Sequence, residues 1–162
     1  MQAGADVNKA ADNGGTPLCI AAQNGHEAVV RALIQAGADV NKAEDDGATL
    51  LFIAAQNGHE AVVRALIGTG ADIDKALVNG MTPLFAAAQM DHEAVVRVLT
   101  EAGVDINKSE DAGIMSLLFA ANAGNEAVVR VLLDPGPVVT TVQPLSTTRL
   151  LYTSYPPSDN NI

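Results

Sequence analysis

Apolar residues recur along this chain with the spacing of an α-helix, and one such pattern is written twice. The stretch AAQNGHEAVVRALI runs over residues 21–34 and returns letter for letter over residues 54–67. In its second half, four apolar residues stand three or four positions apart: Val29, Val30, Leu33 and Ile34. This spacing predicts a helix over residues 26–36 with one apolar side, which needs a neighbouring surface to cover it.

The same stretch carries the signals that begin and end short helices. Thr16 followed by Pro17 is typical of an N-cap with proline in the first helical position. Residues 18–24 then predict a first short helix, and Gly25 ends it because glycine adopts the left-handed conformation that closes helices. Gly37 ends the second helix in the same way, and the ADVNKAEDDG that follows predicts a hairpin-like turn.

Whole columns of residues recur at the 33-residue spacing of the doubled stretch, which is the mark of a stacked-repeat protein. The columns include Gly14, Gly47, Gly80 and Gly113; Glu27, Glu60, Glu93 and Glu126; and Arg31, Arg64, Arg97 and Arg130. Helices shorter than about 12 residues are marginally stable alone in water. Each unit therefore has to bury its apolar side against the next, which predicts an all-α stack of helix–turn–helix units.

The segment GGTPLCIAAQNGHEAVVRALIQAGADVNKA resembles the ankyrin repeat, whose pattern places Thr-Pro-Leu, Gly-His and Gly-Ala-Asp-Val-Asn at fixed spacings. The resemblance extends to about residue 133 and implies an all-α ankyrin-repeat solenoid of helix–turn–helix units joined by hairpin-like turns. It implies the end of a truncated repeat, three full repeats, a degraded C-terminal repeat and a Pro/Thr/Ser-rich tail: 1–11, 12–44, 45–77, 78–110, 111–136 and 137–162. It also implies a non-catalytic module whose partner lies on the concave surface of turn tips and first helices.

The repeats depart from the family pattern at several positions. Apolar residues replace the histidine expected after Thr-Pro-Leu, which predicts apolar packing between units: Cys19, Phe52, Phe85 and Leu118. Leu50 replaces the proline of the second repeat, and Asp91 replaces a glycine of the third. The fourth has Met115 and Ser116 where Thr-Pro is expected, and Asn125 in place of histidine. We therefore expect stability to fall toward the C-terminal end.

Both ends of the array are irregular. Met1 has the repeat phase of Ile34, which predicts either a fragment of a longer array or a start with an open N-terminal face. Terminal repeats normally present a polar outer face, but the last helix keeps its apolar residues. The composition of residues 137–162 favours a flexible tail. The alternatives are that TTRLLYTSY covers the last helix as a cap, or that the segment is not native coding sequence.

Composition and charge narrow the class of partner. The net charge of −10 is repelled by nucleic acid and by anionic membranes, and it favours a protein partner, particularly one with a basic segment. The lysines and arginines fall almost entirely in repeat columns, with no free cluster to neutralise phosphates. The single cysteine fits a reducing compartment. No secretory signal or membrane-spanning run is present in the pattern, so we expect a cytoplasmic protein.

No catalytic, cofactor or metal site is predicted. The pair His26-Glu27 matches the start of the zinc-binding pattern H-E-x-x-H, but the fifth residue is Val30 instead of a second histidine. The histidines share one repeat position, which predicts a packing role between units: His26, His59 and His92. Cys19 stands in a column of apolar residues, which predicts a buried and inert thiol.

The predicted partner contacts are the residues that vary while the scaffold does not. At the turn tips they are Asp12, Asn13, Asp45, Asp46, Val78, Asn79, Met81 and Asp111. At the ends of the first helices they are Gln23, Asn24, Gln56, Asn57, Gln89 and Met90. The leading hypothesis is a protein or peptide partner held by the apolar members of this set, with the acidic tips steering a basic segment. The alternative is a slice of a longer ankyrin scaffold with no partner of its own.

Overall fold

The computed structural model describes residues 4–11, 15–44, 47–106 and 112–134, and within these ranges the chain forms eight α-helices. They are α1 (Pro17–Gln23), α2 (Glu27–Gln35), α3 (Leu50–Gln56), α4 (Glu60–Gly68), α5 (Pro83–Gln89), α6 (Glu93–Glu101), α7 (Ala112–Ala123) and α8 (Glu126–Leu133). The odd-numbered helices pack in one row and the even-numbered helices in a second row, with each pair also in contact. The predicted all-α stack of helix–turn–helix units is confirmed.

A threonine begins the first helix of each full repeat. The side-chain oxygens of Thr16, Thr49 and Thr82 each accept a hydrogen bond of 3.2 Å from the main-chain N–H three residues further on. Such a cap is worth about 1 kcal/mol of helix stability. Because Thr49 is present, α3 begins in register although Leu50 stands where the other units have proline.

Glycines end the helices as the sequence predicts. Gly25 has φ of +73° directly after α1, and Gly37 has φ of +91° after α2. The connecting turn is closed by two main-chain hydrogen bonds of 2.9 Å, from the N–H of Gly47 to the carbonyl of Glu44 and from the N–H of Glu44 to the carbonyl of Ala48. The predicted hairpin-like turn is therefore present, and it sets the spacing between one helix pair and the next.

Helix α7 does not follow the pattern of the three full repeats. It has 12 residues, against 7 in α1, and it begins at Ala112, directly after Asp111, which the sequence predicts at a turn tip. Gly113 also lies inside this helix, although its column partners Gly47 and Gly80 adopt positive φ in turns. The helix begins earlier than the repeat pattern predicts, because Met115 and Ser116 stand where a capping threonine and the next residue begin the first helix of each full repeat. Without a threonine cap at this position, the helix extends further toward the N-terminus.

The core consists of aliphatic columns buried between successive units. Val62, Val95 and Val128 have no exposed surface, because the preceding unit covers each of them. Val29 holds the same position in α2 and is 49% exposed, with no unit packed before it in the described residues. The position in the stack, and not the residue type, therefore decides how far each valine is buried.

Histidines tie neighbouring units together, as predicted. Nε2 of His59 donates to the carbonyl oxygen of Gln23 at 2.9 Å, and Nε2 of His92 donates to that of Gln56 at 3.0 Å. The ring of His59 lies so close to Gly25 that a Cβ there would stand 2.6 Å from its Nδ1. Gly25 is thus required both for its positive φ and for the space that the histidine occupies.

The junction between the third and fourth units lacks this tie. Asp91 replaces the glycine and is held at φ of +60°, a conformation that costs a non-glycine residue about 1–2 kcal/mol. Asn125 replaces the histidine, and its buried Nδ2 has no hydrogen-bond partner among the residues that the structure describes. The two departures belong together, because a Cβ at position 91 would occupy the space that a histidine ring needs.

Carboxylate and amide side chains tie the connecting turns together at a second level. Each accepts a hydrogen bond of 2.9–3.0 Å from a main-chain N–H of the next unit: Asn8 from Asp39, Asn41 from Asp72, and Asp74 from Asp105. Each of these N–H groups lies in a connecting turn, outside the helices. The turn side of the stack is therefore held in register independently of the aliphatic core.

The third junction allows a direct test of the glycine–histidine pairing. The double substitution Asp91→Gly/Asn125→His should raise the free energy of unfolding by about 1–3 kcal/mol, because it removes the strained φ and adds one inter-unit hydrogen bond. Asn125→His alone should lower it, since the ring would meet the Cβ of Asp91. Urea unfolding of the three proteins measures this coupling. Additive effects of the two substitutions would contradict the pairing.

Candidate functional site

A groove of about 340 Å³ opens between the turn tips and the first helices of the first three units. Its lining comes from α1, α3 and the two connecting turns: Gln23, Glu44, Ala48, Phe52, Ile53, Gln56, Asn57, Leu77 and Met81. We call this set the groove. It lies on the side of the stack where the family resemblance places partner contacts.

The floor of the groove is apolar. Phe52 and Ala48 are buried, while Ile53, Leu77 and Met81 are half-buried and pack against the same small cluster. The N–H of Leu77 donates to the carbonyl of Met81 at 2.9 Å, which closes the turn and holds both side chains over α3. The floor therefore offers aliphatic, aromatic and thioether surface to a ligand, and methionine adapts its shape easily.

The rim of the groove is polar. Gln23 and Gln56 are the last residues of α1 and α3, and both are exposed. Asn57 follows α3 and donates from Nδ2 to the carbonyl of Ile53 at 2.8 Å, so its amide also closes the helix. Glu44 adds a carboxylate at the first turn. Amide groups and one negative charge thus surround an apolar floor, an arrangement suited to the main chain and a basic side chain of a peptide.

The structure places the predicted contact residues in three groups. Four of them line the groove: Gln23, Gln56, Asn57 and Met81. Five lie on the surface outside its lining: Asn24, Val78, Asn79, Gln89 and Met90. The remaining five lie outside the described residues: Asp12, Asn13, Asp45, Asp46 and Asp111.

Two of the residues outside the groove have structural partners. Asn24 donates from Nδ2 to the carbonyl of Ile20 at 2.8 Å, which repeats the role of Asn57 in the next unit. Asn79 accepts from the N–H of Met81 at 3.1 Å, and it thereby shapes the turn that presents Met81 to the groove. Val78, Gln89 and Met90 are exposed.

Sequence reasoning missed five residues of the groove, most of them in its floor: Glu44, Ala48, Phe52, Ile53 and Leu77. A usable signal was present, because Phe52 and Ile53 precede Gln56 by one helical turn and so share its face of α3. Phe52 was assigned only to packing between units. It does pack there, against Ala48 and Ala86, and the same ring also forms the bottom of the groove.

Cys19 lies beneath the rim, and its thiol has low reactivity. Its Sγ donates to Oε1 of Glu44 at 3.0 Å. Burial, followed by the hydrogen bond and the negative charge of Glu44, raises the pKa of the thiol from 9.0 to about 12. Because the thiolate is the nucleophile, this thiol is unreactive near neutral pH. The interpretation of Cys19 as a buried and inert thiol is confirmed.

Arginine and glutamate side chains form exposed pairs along the second helices. Each arginine lies 2.6–2.9 Å from the glutamate four residues earlier: Arg31, Arg64, Arg97 and Arg130. Arg64 also reaches Glu101 of the next unit at 3.8 Å. Exposed pairs of this kind contribute about 0.3–0.5 kcal/mol each. In the described part of the chain, no three His, Cys, Asp or Glu side chains converge as a metal site would require.

The raised pKa of Cys19 predicts a pH-dependent stability. Below pH 9 the thiol is protonated in both the folded and the unfolded chain. Above pH 9 the unfolded thiol ionises first, so the free energy of unfolding should fall as pH rises toward 12. Cys19→Ala should remove this part of the pH dependence. Slow alkylation by iodoacetamide at pH 8, accelerated when urea unfolds the protein, checks the same property; rapid alkylation of the folded chain would contradict it.

The comparisons with known proteins agree with this architecture. A family model described as ankyrin repeats (3 copies) matches residues 1–76 and again residues 70–143. No curated protein matches the chain. Among the described helices, none is both long enough and apolar enough to cross a lipid bilayer. The two matches together span more than half of the chain and both rows of helices, and the chain therefore belongs to the ankyrin repeat family.

Proposed function

We propose that this protein is a non-catalytic interaction module that binds an extended, basic segment of a partner protein in the groove. Ankyrin repeats are generally protein–protein interaction modules. The observation that carries the proposal is the groove itself, in which an apolar floor is framed by amides and a carboxylate. A pocket of this kind binds by burying apolar side chains and fixes their orientation with a few polar groups.

Each part of the groove has a role in this proposal. An aliphatic side chain of the partner covers Ile53, Leu77 and Met81, and it removes their exposed surface from water. Gln23 and Gln56 hold the same position in successive repeats, and their amides hydrogen-bond the extended main chain of the partner. The carboxylate of Glu44, which accepts the hydrogen bond from Cys19, attracts a lysine or arginine of the partner.

The predicted contacts outside the groove extend the same surface. Val78 and Met90 are exposed apolar residues, and they would anchor further side chains of the partner. Asp45 and Asp46 would steer a basic segment toward the groove, an effect that the net charge of −10 strengthens. A cytoplasmic location is part of the proposal, and it is supported by the single cysteine, which fits a reducing compartment.

A second candidate is a structural role, as one slice of an ankyrin scaffold without a partner of its own. The half-exposed Val29, whose counterparts in the other units are fully buried, favours this alternative. The two functions differ in what the isolated chain does: the module binds a basic peptide, whereas the slice binds none.

Substitution at the rim separates these functions. Gln56→Arg should weaken binding of a protein partner or basic peptide about tenfold or more, because it sets a like charge against the partner's basic residue. Affinity capture from a lysate, followed by fluorescence anisotropy with the peptide recovered, measures the effect. The matched control is Gln35→Arg at the exposed end of α2, which changes the net charge equally. Equal recovery by both variants, or binding that does not weaken with added salt, would contradict the groove as the site.

A further inference from the structure

The first unit presents an apolar face that its counterparts hide. Val29 is 49% exposed, whereas the same column is fully buried in every later unit. Ile20 of α1 is exposed on the first unit as well. In the interior, the surface that covers these columns is always the preceding helix pair of the same stack. The structure itself thus shows which shape fits this face: the helix pair of another ankyrin unit.

The opposite end presents the reciprocal face. Leu118 of α7 is 56% exposed, although the three residues that share its column are buried: Cys19, Phe52 and Phe85. Leu133 at the end of α8 is 68% exposed. In the interior this side of each unit is covered by the following unit. The two open faces are therefore the two halves of the interface that already joins the units.

The two partners of a further glycine–histidine contact, Gly124 and His26, are also present without each other. Gly124 has φ of +73°, close to the +73° of Gly25 and the +74° of Gly58, which both accommodate histidine rings. No described heavy atom lies within 4 Å of the point where a Cβ on Gly124 would stand. His26 holds the same repeat position as His59 and His92, which bond to the preceding unit, and it is exposed on the first unit. An exposed histidine and an open glycine cradle thus lie at opposite ends of one chain.

The turn sequences beside the two open faces are complementary too. In the full repeats, a GADVN or closely similar turn follows the second helix, but GPVVTTVQ stands after α8, over residues 136–143. The missing turn is present at the other end, where residues 4–11 read GADVNKAA. There, Asn8 bonds to Gly37 and Asp39 as the later turns bond to their neighbours. Helices α7 and α8 of one chain and the first turn of another would complete one regular unit.

We propose that copies of this chain stack head to tail, with Ile20, His26 and Val29 of one copy against Leu118, Gly124 and Leu133 of the next. In this contact the ring of His26 enters the space over Gly124, and its Nε2 donates to the main-chain carbonyl of Asn122, which has the phase of Gln23 and Gln56. The interface is heterologous, so it leaves one free face at each end and permits further copies to add.

Charge sets the conditions of this assembly. Each copy carries a net charge of −10, and this repulsion opposes association at low ionic strength. Added salt screens the repulsion while the apolar contact persists, so assembly should strengthen with salt. This dependence is opposite to that of a basic peptide in the groove, which keeps the two proposals distinguishable.

Sedimentation of the full chain as a function of concentration and salt tests the proposal. The wild type should shift from the 16.6 kDa monomer toward multiples of that mass as the protein concentration or the salt concentration is raised. Val29→Glu and Leu133→Glu should each remain monomeric, because each loses one of the two faces. A mixture of these two variants should form a dimer that grows no further, since each variant supplies the face that the other lacks.

The control is Val78→Glu, the same change at an exposed valine far from either end face, which should assemble like the wild type. Circular dichroism should show that all variants keep their helices. A wild type that stays monomeric at every concentration and salt would overturn the proposal. If deletion of residues 135–162 then allowed assembly, that segment would be identified as the cover of the C-terminal face. A mixture of the two glutamate variants that stays monomeric would overturn the head-to-tail arrangement.

Discussion

Each helix pair in this protein can bury its aliphatic side only against the next pair. Val62, Val95 and Val128 are fully buried because a unit precedes each of them, and Val29 is half exposed because no helix pair precedes it in the described part of the chain. Helices of 7 to 9 residues have too little intrinsic stability to persist alone. Stability therefore resides in the junctions between units, and it is close to a sum of unit and nearest-neighbour terms.

The same junctions also form the groove. The groove belongs to no single unit, since its lining comes from α1, α3 and the two turns above them. The bonds from His59 to Gln23 and from His92 to Gln56 fix the ends of the first helices at one height in each layer. Residues that stand a repeat apart in the sequence consequently lie on one face of the stack, where we propose that a partner binds. A binding surface built this way changes composition by substitution at the tips while its backbone stays the same.

Short-range signals in the sequence were sufficient to predict most of the fold. Thr16 and Gly25 mark where α1 begins and ends, because capping and positive φ are local properties. The early start of α7 was not predicted, since the competition between a turn at Gly113 and a continued helix depends on the missing Thr-Pro signal and on packing together. The part played by Phe52 in the groove depends on Leu77 and Met81 of the next turn, a contact between units that a periodic pattern does not contain.

The dependence of each unit on its neighbour is tested most directly by one substitution made at two equivalent positions. Val29 and Val62 have the same place in two helices that share the sequence EAVVRALI, and they differ in whether a described unit covers them. In urea unfolding of dilute protein, Val62→Ala should lower the free energy of unfolding by about 2 kcal/mol, and Val29→Ala by less than about 0.5 kcal/mol. Equal losses at the two positions would show that burial between units does not hold this structure together.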